Sequence, residues 1–324
     1  MEFICFSDIH FDLNHNKSVK TPSGLTTWLE TQMEIIDQIT DYGGTHNIYD
    51  IFFGGDVFEK KNYIPQNLYN FVWEIFEQYS QDPYNFTFHF NTGNHDYHST
   101  LSGSLKPFSS IVNVIDSVQD IPFMNGIVRM IPHGKVIGNL KLPEDYEEYV
   151  VFTHEDIAGL KYGPDDYTSS SRYKVQIFGD WDTVFNGHIH TAQKLGNVIN
   201  MGSCMRQNFG EPEEKYFYHY KNGETKRIPI ECPKFITAPG FSDKIRNTIE
   251  TNDYDFFRID IAPEELSDPI FKKYNVFHNV VKFKDKKKRL EINMSEEDEL
   301  LKYVELMESD LNTKKLLAFV EKLK

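Results

Sequence analysis

Phe86-Thr87-Phe88-His89-Phe90-Asn91-Thr92-Gly93-Asn94-His95-Asp96 is the stretch that decides how this chain is read. Its first five residues carry aromatic side chains at alternate positions, the period of a buried strand. Asn91-Thr92-Gly93 then opens a loop, and Gly93 lets the backbone turn sharply as the strand ends. Three chemical tools follow in a row. Asn94 offers a neutral carbonyl oxygen, His95 a proton donor or acceptor that titrates near neutral pH, and Asp96 a carboxylate able to orient its neighbours. Open α/β sheets place ligands beyond the carboxyl ends of their strands, so this loop sits where chemistry is expected. An Asn-His-Asp run also makes a serviceable turn, so partners elsewhere must decide its meaning.

Working outward, the upstream chain repeats the same pattern. Glu2 to Ser7 reads as a strand ending at Asp8-Ile9-His10, and Tyr49 to Phe53 as one ending at Gly54-Gly55-Asp56. Between them, Leu25 to Tyr42 reads as an amphipathic helix with Leu29, Met33, Ile36 and Ile39 on one face, stopped by Gly43-Gly44. Pro65 sits in the first turn of a second helix that carries Leu68, Val72, Ile75 and Tyr79. Strand, helix, strand, helix, strand is an α/β layered core. Downstream, strands are expected at Val112 to Ile115, Gly126 to Ile131, Tyr149 to Phe152, Thr183 to Phe185 and Asn197 to Asn200. A hairpin is expected around Asn222-Gly223. After Pro233 the pattern becomes strand (Phe256 to Ile261), helix (Pro263 to Tyr274) and strand (Val276 to Lys284), a small α+β unit. Two helices close the chain, the first opened by the capping box Ser295-Glu296-Glu297-Asp298. The expected division is 1–232, 233–294 and 295–324.

The 324 residues can bury a large core and one small appended unit. No run approaches the ~20 apolar residues of a membrane span. No basic leader precedes the first strand, which points to a cytoplasmic protein. Three scattered cysteines, Cys5, Cys204 and Cys232, give no disulfide framework. A net charge of −15 excludes a protein that grips nucleic acid by bulk charge alone, but bound metals and a local basic patch can reverse the field at a site.

Five stretches supply ligand-type side chains: Asp8-Ile9-His10, Gly55-Asp56-Val57-Phe58-Glu59, Gly93 to Asp96, Thr153-His154-Glu155 and Gly187-His188-Ile189-His190. Asp8 with His10, and His188 with His190, are i,i+2 pairs that project to one side of an extended segment. Imidazole, carboxylate and amide oxygen together suit Mn²⁺, Fe²⁺ or Zn²⁺ better than Ca²⁺ or Mg²⁺. Asp8, His10 and His190 can hold one ion, Asn94, His154 and His188 a second, with Asp56 bridging. Two ions ~3.5–4 Å apart can clamp the attacking and leaving oxygens of an in-line displacement at phosphorus. His95 is left free to protonate the leaving oxygen. Glu59, three residues after Asp56, is placed either to reach His95 and raise its imidazole pKa or to lie solvated beside Lys60 and Lys61; His95 and Glu59 are the candidate catalytic residues.

These motifs resemble the calcineurin-like metallophosphoesterase superfamily: a β-sandwich flanked by helices, with a small capping domain and C-terminal helices. Within it, the pattern Gly55 to Glu59, followed by Asn200-Met201-Gly202-Ser203 and Phe209-Gly210-Glu211, is similar to the nuclease subunit of the SbcC–SbcD type, most like phage-encoded members. That family includes the meiotic-recombination double-strand-break repair nuclease. The resemblance covers residues 1 to 232 by ordered motifs. It departs at Glu59, where many bacterial relatives carry Asp and archaeal ones His, and at Cys204, where Pro is common. It implies the ligand set above, His95 as the histidine that binds no metal, and two Mn²⁺ ions, with Mg²⁺, Fe²⁺ or Zn²⁺ as alternatives. It further implies a DNA exonuclease and endonuclease partnered by DNA and an SMC-like ATPase, and it allows a homodimer.

The remaining chain offers contacts for such partners. Lys286, Lys287, Lys288 and Arg289 lie in a basic run, Lys282 to Arg289, able to contact phosphates or simply to keep a sheet edge soluble. Leu300, Leu301, Val304, Leu316, Leu317 and Val320 form apolar stripes on the terminal helices that suit a coiled-coil partner. The competing reading is a phosphatase or cyclic-nucleotide phosphodiesterase on the same fold. A Ser/Thr phosphatase would carry Asp-Arg-Gly and Asn-His-Glu, whereas this chain has Phe58-Glu59-Lys60-Lys61 and Asn94-His95-Asp96.

Overall fold

The computed structural model describes residues 1–281 apart from 14–17, 100–101, 124, 137, 164–166 and 212–213. The basic run at 282–289, with Lys286, Lys287, Lys288 and Arg289, and the terminal helices with Leu300, Leu301, Val304, Leu316, Leu317 and Val320 lie outside the described residues.

Strand β1 (Glu2–Phe6) is central because both its faces are apolar. Ile4 and Phe6 meet the helices, while Phe3 and Cys5 meet a second sheet. Helix α1 (Thr27–His46) carries the chain to β2 (Asp50–Phe53), and α2 (Gln66–Ser80) carries it to β3 (Thr87–Asn91). With β4 (Asn113–Ile115) these strands run parallel in the order β1-β2-β3-β4. The chain then builds a second sheet from β5 (Gln119–Pro122), β6 (Gly126–Met130), β7 (Glu148–His154), β8 (Thr183–Gly187), β9 (Gln193–Leu195) and β10 (Val198–Asn200), in the order β9-β10-β8-β7-β6-β5. The hairpin β11 (Tyr216–Lys221) and β12 (Glu224–Pro229) returns to the first sheet beside β1. It turns at Asn222 (φ 46°) and Gly223 (φ 84°), as the Asn-Gly pair requires.

The two six-stranded sheets pack face to face. Phe3, Phe52, Phe152, Phe185 and Tyr220 interlock between them: Phe3 stacks on Tyr220 at 4.7 Å and meets Phe52 at 4.9 Å in its own sheet, with Phe152 and Phe185 at 5.9 and 6.0 Å across the interface. Helices α1 and α2 cover the outer face of the first sheet through Trp28, Leu29, Ile36, Ile39, Leu68, Val72 and Phe76. This is the expected α/β sandwich, and the carboxyl ends of β1, β2, β3, β7 and β8 open on one cleft.

Two expectations are corrected. Helix α1 does not stop at Gly43-Gly44 but runs on to His46 and ends at Asn47, which takes the left-handed conformation. Gly43 is there for packing: a Cβ would sit 2.8 Å from the Ile48 carbonyl oxygen and from the Phe86 ring. The helix expected from Pro263 to Tyr274 is two 3₁₀ turns, Pro263–Ser267 and Pro269–Lys272. Pro269 supplies no N–H to a continuous helix, and Asp268 starts a new turn by accepting from Ile270 N. A third, all-parallel sheet of β13 (Phe235–Ala238), β14 (Phe256–Ile261) and β15 (Val276–Val280) forms the small unit. Its crossover α3 (Asp243–Glu250) and the strand β13 were not visible in the apolar pattern. Phe235 and Phe256 seat this unit on Trp28 at the start of α1.

Candidate metal centre

The cleft gathers all seven expected ligands. In one half, His10 Nε2 and His190 Nε2 approach to 3.1 Å, and Asp8 Oδ1 is 3.9 Å from each. In the other half, Asn94 Oδ1 lies 3.1 Å from His154 Nε2 and 2.8 Å from His188 Nδ1. Asp56 Oδ2 stands between, 3.7 Å from His10 Nε2 and 3.2 Å from His154 Nε2.

The loops that carry these residues are not extended, contrary to the expectation for the i,i+2 pairs. Asp8 (φ 55°), His10 (φ 52°), Asp56 (φ 61°) and His188 (φ 83°) all occupy the left-handed region. Such conformations cost of order 1–3 kcal/mol each for a non-glycine residue, and they persist where surrounding contacts over-determine them. The contacts are present. Asp8, His10 and Phe11 donate backbone N–H groups to the carbonyls of Gly55, Asp56 and Val57. The buried Asp96 carboxylate accepts from the N–H groups of Asp56, Val57 and Gly93 at 2.9–3.0 Å, tying the β2 and β3 loops together. Gly93 is required by crowding and not by a sharp turn, since a Cβ there would fall on the Asp56 carboxylate.

Three supports of these ligands had no role assigned from the sequence, although Asn200 and Glu211 stand in its motif segments. Buried Gln32 on α1 donates to the carbonyls of Ile9 and His10, both at 2.8 Å. Asn186 and Asn200 form a buried amide ladder that holds Thr153, Glu155 and the Ile189 and Thr191 carbonyls. Glu211 lies 3.1 Å from His190 Nδ1. Polar residues inside strands and helices were the available signal, because burial obliges them to find partners.

The Glu59 carboxylate lies within 4.8 Å of ring nitrogens of both His10 and His95, and its closest contact is to His10, 2.9 Å from Nδ1. His95 also meets the Glu59 backbone carbonyl, 2.5 Å from its Nδ1. The carbonyl only accepts, so His95 Nδ1 donates and Nε2 is left for a mobile proton. The His95 backbone N–H also donates to Asp56 Oδ1 at 2.7 Å. His133 also stands beside the centre, with its ring 6.0 Å from that of His188.

The donor set fits divalent cations. The Glu211 carboxylate at His190 Nδ1 makes that nitrogen the donor and leaves the His190 Nε2 lone pair facing His10 Nε2 at 3.1 Å, with Asp8 Oδ1 3.9 Å from both. A cluster of acceptors calls for a cation at its centre. Protonation otherwise meets part of that demand. Burial disfavours charge on His10, but Glu59, Asp56 and Asp8 hold its imidazole up at about 9. His154, likewise buried, is held up at about 10 by Asp56 and Asp8. Burial and the neighbouring His154 push His188 down to about 4. Asp56 is buried, yet His154 and His10 keep it well below the usual carboxylate range.

With two sheets, strand-end ligands and an acceptor-lined cleft established, the class of protein follows. Residues 1–192 match the Calcineurin-like phosphoesterase family, and the chain belongs to it. It is therefore a phosphoester hydrolase with candidate residues for the family's pair of metals. A search among curated proteins gives no match. The fold is similar to that of an archaeal phosphodiesterase at 12% identity, spanning 71% of this chain and 100% of that one with a TM-score of 0.36. It is also similar to a dimetal phosphatase from Danio rerio (8%, 68% and 91%, TM-score 0.44) and to a nuclease from Pseudomonas putida (11%, 69% and 86%, TM-score 0.31). Among the described residues no helix is long and apolar enough to cross a membrane.

Proposed function

We propose that this chain is a Mn²⁺-dependent DNA phosphodiesterase, a double-strand exonuclease and single-strand endonuclease that acts beside an SMC-like ATPase in break repair. The observation that carries the reading is the Gly55 to Glu59 loop. It has the motif similar to the SbcD-type nucleases, and it touches both the ligand His10 and the free histidine His95. Divalent ions bound here would polarise the phosphate and acidify the attacking water. The residues of the chain do the rest. Asp8, His10 and His190 would hold one ion, Asn94, His154 and His188 the other, with Asp56 placed to serve both. His95, oriented by the Glu59 carbonyl, delivers a proton from Nε2 to the leaving sugar oxygen. The backbone N–H of His95 fixes the outer oxygen of Asp56, so acid and bridge move as one piece.

The decisive experiment is incubation with labelled linear duplex DNA, and separately with a generic phosphate diester, in Mn²⁺ and in Mg²⁺. Nucleotide release from DNA, faster in Mn²⁺, is the expected result. Hydrolysis of the generic diester with DNA left intact would favour the small-substrate phosphodiesterase instead.

Lys286, Lys287, Lys288 and Arg289 are proposed as phosphate contacts. Neutralising the three lysines should flatten the salt dependence of DNA binding by up to about 0.9 per lost contact; an unchanged slope rejects the assignment. Leu300, Leu301, Val304, Leu316, Leu317 and Val320 are proposed as the surface for the ATPase coiled coil. Co-purification of a chain lacking 295–324 with the ATPase at full yield would reject that.

A further inference from the structure

The His190 side of the centre carries a second, buried apparatus. Glu211 Oε1 is 3.1 Å from His190 Nδ1 and accepts from Asn208 Nδ2 at 3.1 Å. Its other oxygen accepts from Ser203 Oγ at 3.0 Å and from Lys215 Nζ at 2.5 Å. Lys215 also donates to Ser203 Oγ at 2.7 Å and to the backbone carbonyl of His190 at 3.3 Å. The side chains of Glu211 and Lys215 are only 5% and 2% exposed. A buried lysine is costly unless each of its donors is used, and here all three are.

We propose that Glu211, locked by Lys215 and Ser203, is a positioning residue that fixes the tautomer and aim of His190 and thereby sets the cation affinity of the Asp8–His10–His190 half. An ionised carboxylate can only accept, so His190 must carry its proton on Nδ1 and present a lone pair at Nε2. Lys215 makes this arrangement permanent. It cancels the charge of Glu211, so the pair adds no net charge to the centre, and it holds the ring's partner and the ring's own backbone with one ammonium group. Glu59 on His10 differs: its side chain is 47% exposed and free to turn to solvent. The Glu211 segment is also anchored at its far side. Phe209 packs on Phe235 and Phe277 at 4.9 and 5.6 Å, with the Arg258 guanidinium 4.1 Å above its ring. The mounting of His190 is thus shared between the phosphoesterase sheets and the small unit.

The inference rests on the two-metal reading of the cleft and not on the identity of the substrate. It is tested by calorimetric titration of the metal-free full-length chain with Mn²⁺. The unmodified chain should bind two ions. Glu211→Ala should weaken one of them by about 10–100-fold and leave the other within about twofold. Glu211→Gln keeps an oxygen for His190 and should recover part of the loss. Thermal unfolding of the metal-free variants gives the control. Equal weakening of both ions, in step with lost stability, would reduce Glu211 to a structural residue and overturn the proposal, as would unchanged affinities in Glu211→Ala. An unmodified chain that binds no Mn²⁺ would remove the metal reading itself, a separate failure.

Discussion

The two halves of the centre present the same kind of face by different means. In the Asp8–His10–His190 half, both imidazoles are backed by side-chain carboxylates, Glu59 and Glu211. In the Asn94–His154–His188 half, His154 is backed by the Gly54 carbonyl at 2.9 Å, and the Asn94 side-chain oxygen facing it belongs to a neutral amide. The first half is charge-rich and supported by replaceable side chains. The second is built from backbone and close packing: a Cβ on Gly55 would fall on the His154 ring. Carboxylate backing raises imidazole basicity, so the first half should bind its ion more tightly, and side-chain substitutions should separate the halves.

Asp56→Ala should have the largest effect because Asp56 belongs to both halves. A shared ligand in a two-metal site is worth several kcal/mol of transition-state stabilisation, so phosphodiester hydrolysis should fall by at least about 10³-fold. Calorimetry should show that the second ion is lost; activity near that of the unmodified chain would break the comparison at its shared member. His95→Asn should come next, lowering turnover by about 10²–10⁴ while both ions still bind. Loss of an ion in that variant would make His95 a ligand. Gly93→Ala, which drives a methyl group onto Asp56, should weaken both ions together, measurable in the same titration. Glu59→Gln should be mildest, weakening only the first-half ion by about tenfold. Because its carboxylate meets His10 most closely, the alkaline limb of the pH–rate profile, where a general acid loses its proton, should keep its midpoint. A shifted midpoint would restore a direct pairing of Glu59 with His95.

The sandwich was legible because its central strands are apolar on both faces and end in polar residues, as at Phe53-Gly54-Gly55-Asp56. The ligand-type residues were legible because few other duties place Asp, His and Asn in that order at successive strand ends. What supports them was not. Glu211 lies 21 residues from His190 and Gln32 lies 22 from His10, separations that only the folded chain closes. Asn200 stood in a motif segment and Asn186 in none, and only burial showed that the two pair with each other. The left-handed backbone at Asp8, His10, Asp56 and His188 was equally hidden, since tertiary contacts impose it on residues that do not favour it. Helix α3 was missed because its apolar face is short, with Ile249 alone fully buried.

The central claim is that two ions share Asp56. Electron paramagnetic resonance of the metal-free chain titrated with Mn²⁺ tests it most directly. The account predicts two ions per chain whose spins are exchange-coupled, with the coupling absent in Asp56→Ala. A single ion per chain, or two ions with independent spectra, would contradict it.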